Sequence, residues 1–353
     1  MSKPFFELRS LLSRTGALVS SANPGRGVPR TPGSALMSAT DPIDDPGIES
    51  RPGNWRSRLP RLARDRTAVA LSVEGSSLRI LTTTRDRVVG WSTVPIADRA
   101  GSKGQINDPA ALGSAIDAAF EEHQLSRANV SWALPGFGVT TRLIDLPNLR
   151  SNQLRDAVGE EFDRVLGVSM DDYYLFWQRL VGRVRQRTVF ALAVPKSTIL
   201  SALESLEVAG IRPKTMDLRP IALARAVGRS DAVVTNLEEG SIDVIIVERG
   251  VPAAIRSVPI LGASVTRDAA QARLIEETER ALAYFDDANP DHPLDVDAPI
   301  YLTGTWATGI ALSERLRSVT RHPIGRLKPD GLYPPELPVA DYAVNLGLSL
   351  KRK

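Results

Sequence analysis

Val69-Ala-Leu-Ser-Val73, Glu74-Gly75-Ser76-Ser77, Leu78-Arg-Ile-Leu81 is the stretch on which the reading of this chain turns. Two apolar, β-branched runs flank a Glu-Gly turn. A polar turn at Arg85-Asp-Arg87 then leads to a third run ending Val94-Pro95-Ile96. This pattern predicts a three-stranded meander. The same phrase returns later: Val233-Val234, then Glu239-Gly240-Ser241, then Ile242-Asp-Val-Ile-Ile-Val247, a turn at Arg249-Gly250, and a run ending Val258-Pro259-Ile260. Glu74 and Glu239 are 165 positions apart, and Val94 and Val258 are 164 apart. One helical pattern follows each meander, and then a short strand enters a glycine turn, Ala133-Leu-Pro-Gly136 and Tyr301-Leu-Thr-Gly304. The fold expected is α/β and duplicated, each half a mixed sheet carrying a helix.

A chain of 353 residues with 42% hydrophobic content has room for two domains with their own cores. Lys and Arg number 44 against 41 Asp and Glu, a net charge of +3, too small to argue for nucleic acid. There is no cysteine, so disulfides, thiolate metal sites and thiol nucleophiles are excluded. His123, His292 and His322 lie far apart without ligand spacing, which argues against a zinc site or a Ser-His-Asp triad. No apolar run approaches the roughly 18 residues of a membrane span. The expectation is a soluble, cytoplasmic protein.

Residues 1–65 are rich in Pro, Gly, Ser and Arg without periodicity and read as a disordered tail and basic linker. Phe5 to Leu12 is a short amphipathic pattern or a frayed tail, and Met37 is an alternative start. Arg56, Arg58, Arg61, Arg64 and Arg66 form a basic run that either touches acidic headgroups or is a solvated linker. The first half is expected over 66–138, with Asp108-Pro109 starting its helix. Between 139 and 218 the order β-α-β-β-α-β marks a small inserted α+β subdomain that the second half, 219–353, does not repeat. Tyr173-Tyr174 and Phe176-Trp177 alternate faces on one of its strands, so that one pair faces the core and the other is free for a peptide groove. Arg183, Arg185 and Arg187 mark a basic hairpin tip. Gly136-Phe137-Gly138 is a tight turn rather than a dinucleotide fingerprint.

A duplicated sheet-plus-helix domain with such an insert resembles the actin-like, ribonuclease H-like ATPase fold, and within it the type IV pilus assembly protein PilM family. The phrases that carry the resemblance are Leu146-Pro147-Asn148 before the helix Gln153 to Leu166 with Glu160-Glu161; Phe190-Ala-Leu-Ala-Val-Pro195-Lys196; Leu206-Glu-Val-Ala-Gly210-Ile-Arg-Pro213; Asp217; Ala222-Leu-Ala-Arg-Ala226; and Tyr342-Ala-Val-Asn-Leu-Gly347-Leu348. The likeness runs from about residue 67 to 350. It implies a scaffold at the inner face of the cell membrane, which binds ATP between the halves. It also implies that the first half, near the insert, grips the cytoplasmic tail of a PilN-like membrane protein. Phe137, Arg142 and Arg150 are the partner-groove candidates.

The resemblance places the nucleotide on three turns: Gly75, Ser76 and Ser77; Asn236, Gly240 and Ser241; Gly304 and Thr305. Gly and Ser turns donate backbone amides to phosphates, while neighbouring carboxylates hold magnesium and orient water. This chain departs from the pattern four times. The family's metal-side Asp falls at Ser72 or Val73. Glu238 and Glu239 stand where phosphate oxygens approach, and like charges repel. Trp306 follows the third turn, placed to fill the adenine pocket or stack on the base. The segment between Gly262 and Glu276 is short where the family has a long helix. The departures imply that hydrolysis is lost and that no metal is held, and they leave ATP as the one cofactor still admitted. The reading is a degenerate, pseudo-ATPase scaffold; the alternatives are an active ATPase of the same fold and a membrane-tethered cytoskeletal protein.

Overall fold

The computed structural model describes residues 67–351 except 86, 98–99, 103–104, 147–150, 167–169, 181–186 and 261–264. The tail calls (Phe5 to Leu12, Met37, the basic run to Arg66), Arg150, Arg183 and Arg185 lie outside the described residues.

The first meander is β1 (Thr67–Glu74), β2 (Ser77–Thr84) and β3 (Arg87–Pro95), paired antiparallel. A two-residue hairpin, β4 (Gly101–Ser102) with β5 (Gln105–Ile106), leads into α1 (Pro109–Glu122). Asp108 caps α1, its side chain accepting from the Ala111 amide at 3.0 Å, with Pro109 in the first turn. β6 (Val130–Leu134) then pairs parallel to β1.

The chain now leaves this sheet. β7 (Thr140–Leu146), α2 (Ser151–Leu166), β8 (Tyr173–Arg179) and β9 (Arg187–Pro195) build a separate three-stranded sheet, order β7-β9-β8, with Val158 and Phe162 of α2 buried on it. α3 (Lys196–Val208) and β10 (Thr215–Leu218) complete the expected β-α-β-β-α-β order. Their packing groups them elsewhere, however: β10 pairs with β6, and α3 lies against α1. The first sheet thus reads β10-β6-β1-β2-β3.

α4 (Arg219–Val227) crosses to the second meander, β11 (Ala232–Glu238), β12 (Ser241–Glu248) and β13 (Val251–Pro259). α5 (Arg267–Ala288), β14 (Ile300–Thr303), α6 (Ile310–Thr320), β15 (Ile324–Gly325) and α7 (Ala343–Ser349) follow. α5 begins well before the apolar period that starts at Leu274, because Thr266 caps it through the Ala269 amide while Arg267–Ala269 stay exposed. The second sheet reads β13-β12-β11-β14-β15, the first order repeated. Even the β-bulge recurs, between Thr82 and Thr83 in one hairpin and Ile246 and Val247 in the other. Pairing fixes the internal alignment: Glu74 faces Ser77 and Glu238 faces Ser241, so the equivalent of Glu74 is Glu238, not Glu239.

One apolar core lies between the first sheet and α1 with α3, and another between the second sheet and α5 with α6. A third joins the halves through α4 and α7, which cross so closely that a Cβ on Gly347 would sit 1.8 Å from the Ala222 carbonyl oxygen. Asn345 of α7, fully buried, donates to the backbone oxygens of Ala70 and Arg79 (3.0 and 3.1 Å) and accepts from Ser72 Oγ.

Candidate functional site

The three turns singled out in the sequence meet at the seam between the halves. The first is the tip of the β1–β2 hairpin, with Gly75 at φ +58°. The second is the tip of β11–β12. The third follows β14. Gly75, Ser76, Asn236, Gly240, Ser241, Gly304 and Thr305 are thereby gathered into one neighbourhood, and Ser77 opens β2 beside them.

What fills that neighbourhood is charge. Glu238 is 2% exposed and receives both guanidinium nitrogens of Arg79, Nη1 to Oε1 at 2.7 Å and Nη2 to Oε2 at 2.8 Å. Such bidentate pairing is the strongest form of carboxylate recognition. The same carboxylate accepts from the Thr305 amide (3.2 Å) and hydroxyl (2.8 Å), tying the third turn to the second. Arg79 Nη1 also donates to the Asp341 carbonyl at 2.5 Å. Glu239 accepts from Ser76 Oγ at 3.1 Å, and a Cβ on Gly75 would stand 3.2 Å from its Cβ. The first and second turns are in van der Waals contact.

A second arginine lies beneath. Arg219, the first residue of α4 and 2% exposed, places Nη1 3.2 Å from Glu74 Oε2 and Nε 2.8 Å from Asp243 Oδ2. Asp243 further accepts from Asn236 Nδ2 at 3.3 Å and Ser257 Oγ at 2.5 Å, and Asn236 Oδ1 accepts from Thr303 at 3.0 Å. Burial pushes the Glu74 carboxyl up to about 7, with Arg219 pulling against it and Glu238 adding to it. Among the described residues Glu74 Oε1 is buried without a hydrogen-bond partner, as suits a carboxyl close to neutral. Burial works against the charge of Arg79 and Arg219, but Glu238 and Asp243 outweigh it, and both are held above the usual arginine value.

These residues do not fit a magnesium–triphosphate. Ser72 is buried and bonded to Asn345, and Val73 packs on the core, so neither supplies a metal ligand. Among the described residues no group of three acidic or histidine side chains is arranged to hold a metal ion. Trp306 packs against the second core, its amide bonded to the Leu237 oxygen. The expected repulsion between Glu238, Glu239 and a phosphate needs correction in one respect. Glu238 is not a free charge but half of an internal ion pair.

The partner-groove candidates separate. Phe137 lines a cavity of about 200 Å³ with Gln105, Ile106, Ser197, Thr198 and Ser201. Arg142 lines a different cavity, between β7 and β13. Of the aromatic strand, Phe176 and Tyr174 pack on the first core and Tyr173 and Trp177 on the α2 cluster, with Lys196 over Tyr174 and Arg155 over Trp177. Both faces are engaged, so the pair expected to be free is not. The sequence reading passed over Arg79, Arg219 and Asp243. Their signal was a charged side chain inside, or next to, an apolar strand.

The model of the type IV pilus assembly protein PilM family matches residues 78–263. No curated protein sequence matches the chain. Among solved structures, a PilM–PilN type IV pilus biogenesis complex is similar at TM-score 0.63 and 20% identity, covering 82% of this chain and 98% of that one. The cytoplasmic domain of EpsL, an inner-membrane component of the Vibrio cholerae type II secretion system, gives 0.48 and 14% over 81% and 96%. A Bacteroides thetaiotaomicron protein with an actin-like ATPase fold gives 0.49 and 12% over 83% and 99%. The chain therefore shares the fold of that PilM structure.

Proposed function

The chain belongs to the type IV pilus assembly protein PilM family, and from that premise we propose that it is a non-hydrolysing scaffold of a pilus or type II secretion-like inner-membrane platform. In this reading it holds the short cytoplasmic tail of a PilN-like membrane protein and works at the inner face of the cell membrane. The observation that supports the loss of hydrolysis is the bidentate Arg79–Glu238 pair, buried at the seam between the turns. The tail is assigned to the Phe137 cavity. At about 200 Å³ it is smaller than the roughly 300–1,000 Å³ of small-molecule sites, and suits an anchoring side chain of a peptide. A structural relative in complex with PilN supports the choice of partner. Among the described residues no helix is long and apolar enough to cross a membrane. In this reading the partner carries the attachment, with the basic run Arg56 to Arg66 as a further contact to acidic lipid.

Two titrations of the full chain test this. With Mg-ATP up to millimolar concentration the expected result is no binding heat, no shift in melting temperature and no phosphate release. Phosphate release above a protein-free control would restore the ATPase alternative. A peptide copying the tail of a PilN-like protein should bind, and Phe137→Ala should weaken it; binding unaffected by that change would remove the tail from this cavity.

A further inference from the structure

Two sheet edges face each other beside α5. Among the described residues β7 is paired to β9 alone and β13 to β12 alone, so each leaves one rim of backbone donors and acceptors unpaired, and the two strands approach one another along part of their length. Between them opens a cavity of about 500 Å³, lined by residues 139–142, 253–258 and, from α5, Arg280, Ala281 and Tyr284. Its floor is apolar, with Val139, Ala253, Ala254 and Val258. Tyr284, 63% exposed, stands at its margin.

The rim is cationic. Glu277 of α5, its side chain 3% exposed, is shared by three guanidiniums: Arg256 is bonded to it, Arg280 lies at 3.3 Å and Arg273 at 3.9 Å. Arg280 also reaches the exposed Glu276 at 3.6 Å. Across the cavity Arg142 has no carboxylate partner among the described residues, its Nη1 donating to the Thr141 oxygen at 3.1 Å. Four arginines thus stand against two glutamates. Shared charges of this kind retain attraction for a further carboxylate.

We propose that this cleft is a second docking site, for an extended segment of a partner protein that adds as a strand to the β7 or β13 edge and carries carboxylates to Arg142, Arg256 and Arg280. Unpaired edges recognise extended backbone, and alternate side chains supply specificity. Ala254, Arg256 and Val258 share the α5 face of β13, so the arginines and the small apolar side chains meet the same face of the added strand, with acidic and small apolar positions interleaved along it. The site uses β7, β13 and α5, and shares no lining residue with the Phe137 cavity.

The test is a display library of random decapeptides selected on the full chain. The expected winners carry acidic and small apolar residues interleaved at every second position. Arg142→Glu with Arg280→Glu should weaken a winning peptide by roughly tenfold or more with little change in melting temperature. Winners methylated on alternate backbone nitrogens should lose binding, and Phe137→Ala should leave them bound. Winners without acidic residues, no enrichment at all, or affinity indifferent to the arginine changes would overturn the site. Full affinity after backbone methylation on either register would overturn strand addition. If Phe137→Ala releases both these peptides and the PilN-like tail, there is one groove and not two.

Discussion

The two halves of this molecule have the same strand order and the same bulge, yet one position in them carries opposite charge. Arg79 on β2 and Asp243 on β12 are equivalent by the pairing of their hairpins. Each looks across the seam at the glutamate ending the other half's first strand. Arg79 meets Glu238 directly. Asp243 meets Glu74, a like charge, and the two are reconciled only because Arg219 enters from α4 between them. Duplication alone would have set two equal charges against two equal charges. A single difference in sign turns a symmetric cleft into a sewn one, where both contacts are buried.

The comparison breaks most severely if the bridging arginine is removed. Arg219→Met leaves Glu74 and Asp243 buried together without a counter-charge, and should cost about 3–5 kcal/mol in urea unfolding. A loss below about 1 kcal/mol would mean that the carboxylates relax into water. Next is the helix crossing that holds the halves together. Gly347→Ala forces α7 away from Ala222 and should cost on the order of 1–3 kcal/mol; unchanged stability would show that the crossing has slack. The direct pair is sharpened by a double-mutant cycle. Arg79→Leu and Glu238→Leu should each destabilise, while the double variant recovers most of the loss, since an apolar pair replaces a buried ion pair at little cost. Additive losses would deny the coupling.

Two smaller effects follow. Glu74 titrates near 7 in the folded protein against about 4.5 unperturbed. The folded state therefore holds the extra proton between these values. The associated stability is complete below about 4.5 and is lost as pH rises through about 7. Glu74→Gln should flatten the fall in melting temperature across that window relative to the parent; parallel curves would leave Glu74 without a role in it. Smallest is Ser76→Ala. Its bond to the exposed Glu239 should be worth less than about 1 kcal/mol by the same unfolding measurement.

Sequence reading reached local features because they are written locally. Gly75-Ser76 and Gly240-Ser241 are turns between alternating strands, and Asp108-Pro109 announces a helix by capping chemistry. Pairing corrected the internal alignment by one residue, because an extra turn residue shifts a landmark but cannot shift a strand ladder. Phe137 and Arg142 are five positions apart, and their closeness in sequence predicts one shared groove. The chain leaves the first sheet at Gly136, where Ser257 and Pro220 crowd the backbone, and Arg142 comes to face β13. The aromatics of β8 alternate as expected, but both faces found partners.

Composition and periodicity by themselves pointed to a duplicated α/β chain without cysteine, with an insert in its first half, while the altered residues at the nucleotide turns rest on the family resemblance. Those properties depend on neighbours a few residues apart. Only the tertiary structure decided what the altered residues do. Arg79 and Glu238 are 159 positions apart, as are no residues that periodicity can relate. Whether a buried glutamate repels a ligand or binds an arginine depends on which charge folding brings opposite it, because desolvation makes an unpaired charge costly and a paired one tolerable.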